Sequence, residues 1–239
     1  MAHSLKQLIL TCEHGGAEVP ARYRKLFAGK QRVLKTHRGW DIGALAVAKD
    51  LQRSLKVPLD HCTVSRLVVD TNRILKSPTL FSEFTSPLPE LEKVKILKKY
   101  YLPYWSTVNR RAKELIQKQG GVIHVSVHSM TDFLYGKPRA MQLALLYAAH
   151  HPREKWFAKI WIQELRKEFP KFKIARNNPY KGDGHSLTYF LRRVFSRRQY
   201  VGIEIEMNQA LLLSFKTTQE KFEFSQALAR SLARAIDRF

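Results

Sequence analysis

Short apolar runs alternate with longer amphipathic stretches along the chain. Strand-like runs fall at 6–12, 62–70, 122–128, 141–147, 171–175 and 200–207. Each has the length, β-branched content and flanking turn residues that strands favour. Helical periodicity occupies 41–56, 89–118, 152–168, 185–195 and 217–238. In the first of these, Ile42, Leu45, Ala46, Ala48 and Leu51 share a face, and Asp41 stands where a side-chain cap would start the helix. Pro103 interrupts 89–118, which predicts two helices or one kinked helix. Strands alternating with helices predict an α/β fold: three layers, α/β/α, around a mainly parallel sheet. No repeat or low-complexity linker divides residues 1–239, so one domain is expected.

In such sheets ligands bind beyond the carboxyl ends of the strands. The strand exits carry polar residues: Glu13 and His14 after the first, Asp70 and Arg73 after the second, His128 and Ser129 after the third. The last strand adds Glu204 and Glu206. Period two puts His124, Ser126 and His128 on one side of their strand, and the two glutamates on one side of theirs. Unpaired carboxylates inside a buried strand are costly, so two together beside strand-end histidines point to function. The stretch TCEHGG at 11–16 is, by itself, only a glycine turn bearing a polar pair.

Composition narrows the setting. The 239 residues are 44% hydrophobic and 11% aromatic, which fits a folded globule. No apolar stretch reaches bilayer length, and the N-terminal MAHSLKQLIL lacks the features of a cleaved signal, so a cytoplasmic location is expected. Cys12 and Cys62, the only cysteines, fit a reducing compartment. The formal charge of +22 calls for anionic partners. Nucleic acid or an anionic envelope would use dispersed clusters such as Arg22-Tyr23-Arg24-Lys25, Lys93 to Lys99, Arg110-Arg111 and Arg192 to Arg198. A small acidic substrate needs only a few cations, leaving the rest as solvated helix faces.

Two histidines and a carboxylate form a common zinc-binding set, and a further glutamate can take the proton of an attacking water. At this point the chain resembles a known family, the N-formylglutamate amidohydrolases. The resemblance is carried by Thr11-Cys-Glu-His-Gly-Gly, His37-Arg-Gly-Trp-Asp-Ile-Gly-Ala44, Ser65-Arg-Leu-Val-Val-Asp-Thr-Asn-Arg73, Val127-His-Ser-Met-Thr131, Asn178-Pro-Tyr180 and Ile205-Glu-Met-Asn-Gln209. It implies a zinc exopeptidase-like fold and hydrolysis of N-formylglutamate to formate and glutamate, a reaction of histidine degradation. It also implies zinc or another divalent metal held by His14, His128 and Asp41, with His37 and Glu13 as rivals for the third place. Glu206 is then the general base, and Glu204 a supporting residue. Arg73 and Arg139, with Asn178 and Tyr180, are expected to hold a small anionic N-acyl amino acid. Trp105 departs from the histidine expected at that position and leaves open a different amide, including a peptidoglycan-type one. The competing reading is a basic nucleic-acid- or envelope-binding protein, which no recognised nucleic-acid motif accompanies.

Overall fold

The structure is a computed structural model that describes residues 4–134, 136–178 and 180–239. Its main sheet has six strands in the order β2-β1-β3-β8-β6-β7. These are β1 (Leu8–Cys12), β2 (Leu59–His61), β3 (Val122–Met130), β6 (Leu143–Leu146), β7 (Ile174–Arg176) and β8 (Tyr200–Asn208), while β4 (Phe133–Leu134) and β5 (Lys137–Pro138) form a separate hairpin. Every neighbouring pair in the main sheet is parallel except β6 with β8. The helices are α1 (Gln31–Leu34), α2 (Ala44–Leu55), α3 (Glu90–Ile96), α4 (Leu102–Gln119), α5 (Pro152–Glu168), α6 (Leu187–Val194), α7 (Gln209–Ser214) and α8 (Thr218–Asp237). The expected three-layer α/β/α arrangement is therefore found.

The two faces of the sheet differ in chemistry. On one, Leu8 and Leu10 of β1, Ile123, Val125 and Val127 of β3, and Val201, Ile203 and Ile205 of β8 join α2, α5 and α8 in one apolar core. On the other, Ile9, Val122 and Tyr200 meet α4 and α6, but only at the amino-terminal end of the strands. Farther along that face the alternating positions are Thr11, His124, Ser126, His128, Glu204 and Glu206, all buried. Polar groups hidden from water need partners. His124 finds them in Thr11 and Tyr200, each 2.7 Å away, and burial pushes its pKa down to about 4.

Two expectations need correction. Residues 62–70 are not a strand: β2 ends at His61, and Val64 makes one isolated bridge with Glu18 before Ser65 turns the chain. An unbroken apolar run fixes burial but not conformation; Val68 and Val69 are buried in the α4-side core from a turn. Asp41 does not cap α2, whose N-cap is Gly43 at φ +83°. The left-handed backbone there turns the chain out of a helix before Ala44, and the aspartate faces the opposite way, toward β3. The segment 89–118 is divided as expected, into α3 and α4 with a π-helical turn at Leu97–Tyr101 between them, and Pro103 occupies the first turn of α4.

The glycines after His14 allow a close approach. A Cβ on Gly16 would lie 2.5 Å from the Thr63 carbonyl oxygen, so the β1 exit can pass against the chain leaving β2 only without a side chain. At the far side of the sheet, Glu154 of α5 is fully buried and accepts from Arg192 Nε at 2.7 Å, Gly202 N at 3.0 Å and Ala148 N at 2.8 Å. Removing one partner of a buried ion pair costs about 3–5 kcal/mol. Glu154→Ala should accordingly lower the melting temperature by roughly 10 °C, whereas Arg110→Ala, which breaks an exposed pair with Glu114, should leave the melt nearly unchanged.

Candidate metal and active centre

The carboxyl ends of β1, β3 and β8 open into a cavity of ≈ 670 Å³. His14, Asp41, His128, Glu204 and Glu206 lie on its wall, as do Arg66, Asn72 and Arg73. The parallel register of β3 and β8 sets Ser126 beside Glu204 and His128 beside Glu206. His14 follows β1, and its carbonyl accepts from Asp41 N at 2.9 Å, which ties the loop before α2 to the β1 exit.

One ligand atom each from His14, Asp41 and His128 falls within 4.8 Å of the others, and all three residues are buried. Asp41 Oδ2 is 2.8 Å from His128 Nδ1 and 3.6 Å from His14 Nδ1. The other nitrogen of each ring is held from behind. His14 Nε2 donates to Asp70 Oδ1 at 2.6 Å, and His128 Nε2 lies 3.1 Å from Glu13 Oε2 and 2.8 Å from Ser126 Oγ. A carboxylate behind a metal-binding imidazole fixes its tautomer and orientation. Here both rings have one, and both Nδ1 atoms turn toward Asp41.

Among the described residues, three buried atoms of the cavity-wall side chains have no hydrogen-bond partner: His14 Nδ1, Glu206 Oε2 and Arg66 Nε. Such groups are costly when left alone, so the site is built for something that satisfies them. A divalent cation fits the donor set of two imidazoles and one carboxylate, which is the common zinc arrangement with one position left for water. The electrostatics agree. Burial raises the pKa of Asp41, yet the Arg66 guanidinium, His14 and His128 outweigh it and hold the carboxyl well below its ordinary range. Glu13 is likewise raised by burial but brought down to about 2 by His128 and His124. For Glu206 burial wins, helped by Asp41 and Glu204 against His128, and the carboxyl is pushed up to about 7.

The structure distributes the expected residues unevenly. Glu13 stands behind His128, outside the three-residue cluster, where Ser126 Oγ donates to it at 2.5 Å and Tyr104 OH at 3.1 Å. His37 lies on the cavity wall without joining the cluster. Glu204 is occupied by donors from Ser186 at 2.8 Å and Thr188 at 2.6 Å. Arg73 is half-buried, with Nη1 donating to the Asn72 carbonyl at 3.2 Å. Arg139 lies 5.0 Å over the ring of Tyr180, a wall residue, and donates Nη2 to its hydroxyl at 2.8 Å. Arg139 is not itself among the wall residues, and among the described residues its buried Nε and Nη1 have no partner. Asn178 is exposed and is not among the wall residues. Trp105 also lies elsewhere: it donates Nε1 to the Thr71 carbonyl at 2.8 Å and stacks on Tyr101, bracing the 70–73 loop from outside the cavity.

Sequence reasoning gave no role to Asp70, Arg66 or Asn72. Asp70 was visible as a strand-exit carboxylate, but its place behind His14 depends on the turn at 65–69. Asn72 Nδ2 lies 3.3 Å from His128 Nε2, and its Oδ1 accepts from Leu187 N at 3.0 Å. Glu13 provides a test of the arrangement. Supporting carboxylates of this kind are worth about 10–100-fold in metal affinity, so Glu13→Gln should weaken zinc binding by that factor, measured by competition with a chelator, without abolishing it.

Residues 6–213 match the family described as N-formylglutamate amidohydrolase. The fold is similar to that of gene product Atu2144 from Agrobacterium tumefaciens, with a TM-score of 0.79 and 25% identity over 97% of this chain and 91% of that one. It is also similar to N-formylglutamate amidohydrolase from Ralstonia eutropha JMP134, with a TM-score of 0.72 and 19% identity over 97% and 93%. No curated protein matches the sequence. With a family match that spans β1 to α7 and takes in every strand-end residue of the cavity, the chain belongs to the N-formylglutamate amidohydrolase family, whose members hydrolyse amides.

Proposed function

We propose that this protein is a metal-dependent amidohydrolase that cleaves the N-acyl amide of an acidic amino acid such as N-formylglutamate. The observation that carries the reading is the pair of unpartnered buried atoms, His14 Nδ1 and Glu206 Oε2, in one cavity with Asp41 and His128. His14, Asp41 and His128 would hold a divalent ion, zinc above all, which when bound would supply Lewis acidity for the amide carbonyl and the attacking water. Glu206 takes the proton of the attacking water and later delivers it to the departing nitrogen. The water oxygen bonds to the acyl carbon, the C–N bond breaks, and N-formylglutamate yields formate and glutamate.

The choice of an acidic substrate rests on the cations around the cavity. Arg66 is paired with Asp41 and so belongs to the centre itself. Arg139, which reaches the cavity through the wall residue Tyr180, has two buried nitrogens, Nε and Nη1, without a partner among the described residues. A carboxylate is the partner that a planar guanidinium fits best. Hydrogen bonds to a charged group contribute about 1.5–3 kcal/mol. Arg139→Ala should therefore raise KM for N-formylglutamate about 10- to 100-fold, while Lys98→Ala, on an exposed helix face, leaves it unchanged. The deciding experiment joins metal analysis with hydrolysis by the zinc-loaded protein across N-formyl, longer N-acyl and peptidoglycan-type amides. Tight, salt-sensitive binding of nucleic acid by metal-free protein, with no amide in that panel cleaved, overturns the proposal.

A further inference from the structure

Beside the catalytic cavity lies a second one, of ≈ 400 Å³, between the start of α5 and the end of α6. Its wall carries Arg192, Arg193, Arg197, His150 and His151, and one carboxylate, Asp183. Asp183 lies on the wall of both cavities, so the two adjoin there.

The cations of this basin are not equivalent. Arg192 is spent on the fold: besides Glu154 it donates to the Gly182 carbonyl at 2.6 Å and the Gly202 carbonyl at 3.0 Å. Arg193 and Arg197 are exposed; among the described residues the Arg193 side chain donates only to the hydroxyl of Tyr189, at 3.4 Å, and lies 5.7 Å over the same ring. Among the described residues neither Arg193 nor Arg197 has a carboxylate within ion-pairing distance, although most acidic side chains elsewhere on the surface are taken up by arginines or lysines. The positive field is felt by His151, whose pKa is lowered first by burial and then by Arg192 and Arg197, against Glu154. An anion entering the basin would relieve that field.

The catalytic cavity, of ≈ 670 Å³, runs from the strand ends to Asp183, where it meets the basin. We infer that the basin of Arg193 and Arg197 is a distal subsite for a terminal oxyanion, carboxylate or phosphate, on an amide substrate longer than N-formylglutamate. An uncharged link passes Asp183, which repels charge at the junction, and the anionic end reaches the two arginines beyond it. This rests on the amidohydrolase reading for the position of the amide, but the subsite itself is a binding claim.

The test uses a series of N-(ω-carboxyacyl)-glutamates of increasing methylene length, each with its ω-methyl ester and its ω-phosphono counterpart. Equilibrium binding is measured by calorimetry on zinc-loaded Glu206→Gln protein, so that turnover is not required. Beyond a threshold length the acid should bind about tenfold more tightly than its ester, and the preference should disappear in Arg193→Ala/Arg197→Ala. The phosphono series shows which oxyanion is preferred. In otherwise wild-type enzyme the double variant should raise KM for the long acids and leave N-formylglutamate turnover unaltered; Arg197→Gln alone serves if the double variant folds poorly. Equal affinity of acid and ester at every length, or an acid preference that survives the arginine substitutions, overturns the subsite. Failure of the wild type to hydrolyse any amide instead overturns the amidohydrolase reading, and the binding series still decides the subsite.

Discussion

Glu206→Gln is expected to reduce amide hydrolysis by about 10²–10⁴-fold, the usual cost of losing a general base, with metal content and melting temperature retained. Glu206 projects from β8 beside His128, and its Oε2 is buried without a partner. A glutamine fills the same volume, so packing is preserved, but its amide cannot accept the water proton at neutral pH. Burial pushes the carboxyl up to about 7. A cation held by the neighbouring His14, Asp41 and His128 favours the ionised form, leaving a base suited to neutral pH. Glu204 is the internal control, because it lies on the same side of β8 with Ser186 and Thr188 already donating to it. Steady-state rates for Glu206→Gln and Glu204→Gln, each with metal measured, separate the two. An inactive Glu204→Gln beside an active Glu206→Gln would falsify the assignment of the base.

The sequence carried the layers of this fold in its alternation, because β3 and β8 are apolar on one side and polar on the other over most of their length. That same period of two is why Ser126, His128, Glu204 and Glu206 could be placed on common strand sides before any contact was known. What periodicity does not encode is the path of a buried turn. Val68 and Val69 are as hidden as strand residues, so 62–70 read as a strand, and the turn that carries Asp70 to His14 was invisible. Asp41 was legible twice with different meanings, as a helix cap and, through the family blocks, as a ligand. Its cap role failed because Gly43 intervenes in the left-handed region. Which nitrogen of a histidine faces the cavity is tertiary information: Glu13 adjoins His14 in sequence, yet supports His128 from the neighbouring strand.

The second large effect concerns the metal itself. Purified wild-type protein should hold about one equivalent of a divalent metal, and His14→Ala or Asp41→Asn should hold little, since either leaves two of the three protein donors that a catalytic zinc site uses. A ligand that binds only the folded state stabilises it by about 4 kcal/mol at a thousandfold excess over Kd, which is roughly 10 °C in a chain of this size. Zinc should raise the melting temperature of wild type by that order and of His14→Ala hardly at all. His14 is the better choice for the experiment than His128. The His128 ring lies between two buried carboxylates, 2.8 Å from Asp41 and 3.1 Å from Glu13, and both hold its pKa above the ordinary value despite burial. Removing it would take from Glu13 its charged partner, leaving it the hydroxyls of Ser126 and Tyr104, and would leave Asp41 to Arg66 and His14, so instability would then mimic metal loss. His14→Ala leaves the His128 contacts in place. Stoichiometric zinc and an undiminished thermal shift in His14→Ala would show that the ion, if one binds, is held somewhere other than between β1, β3 and the loop before α2.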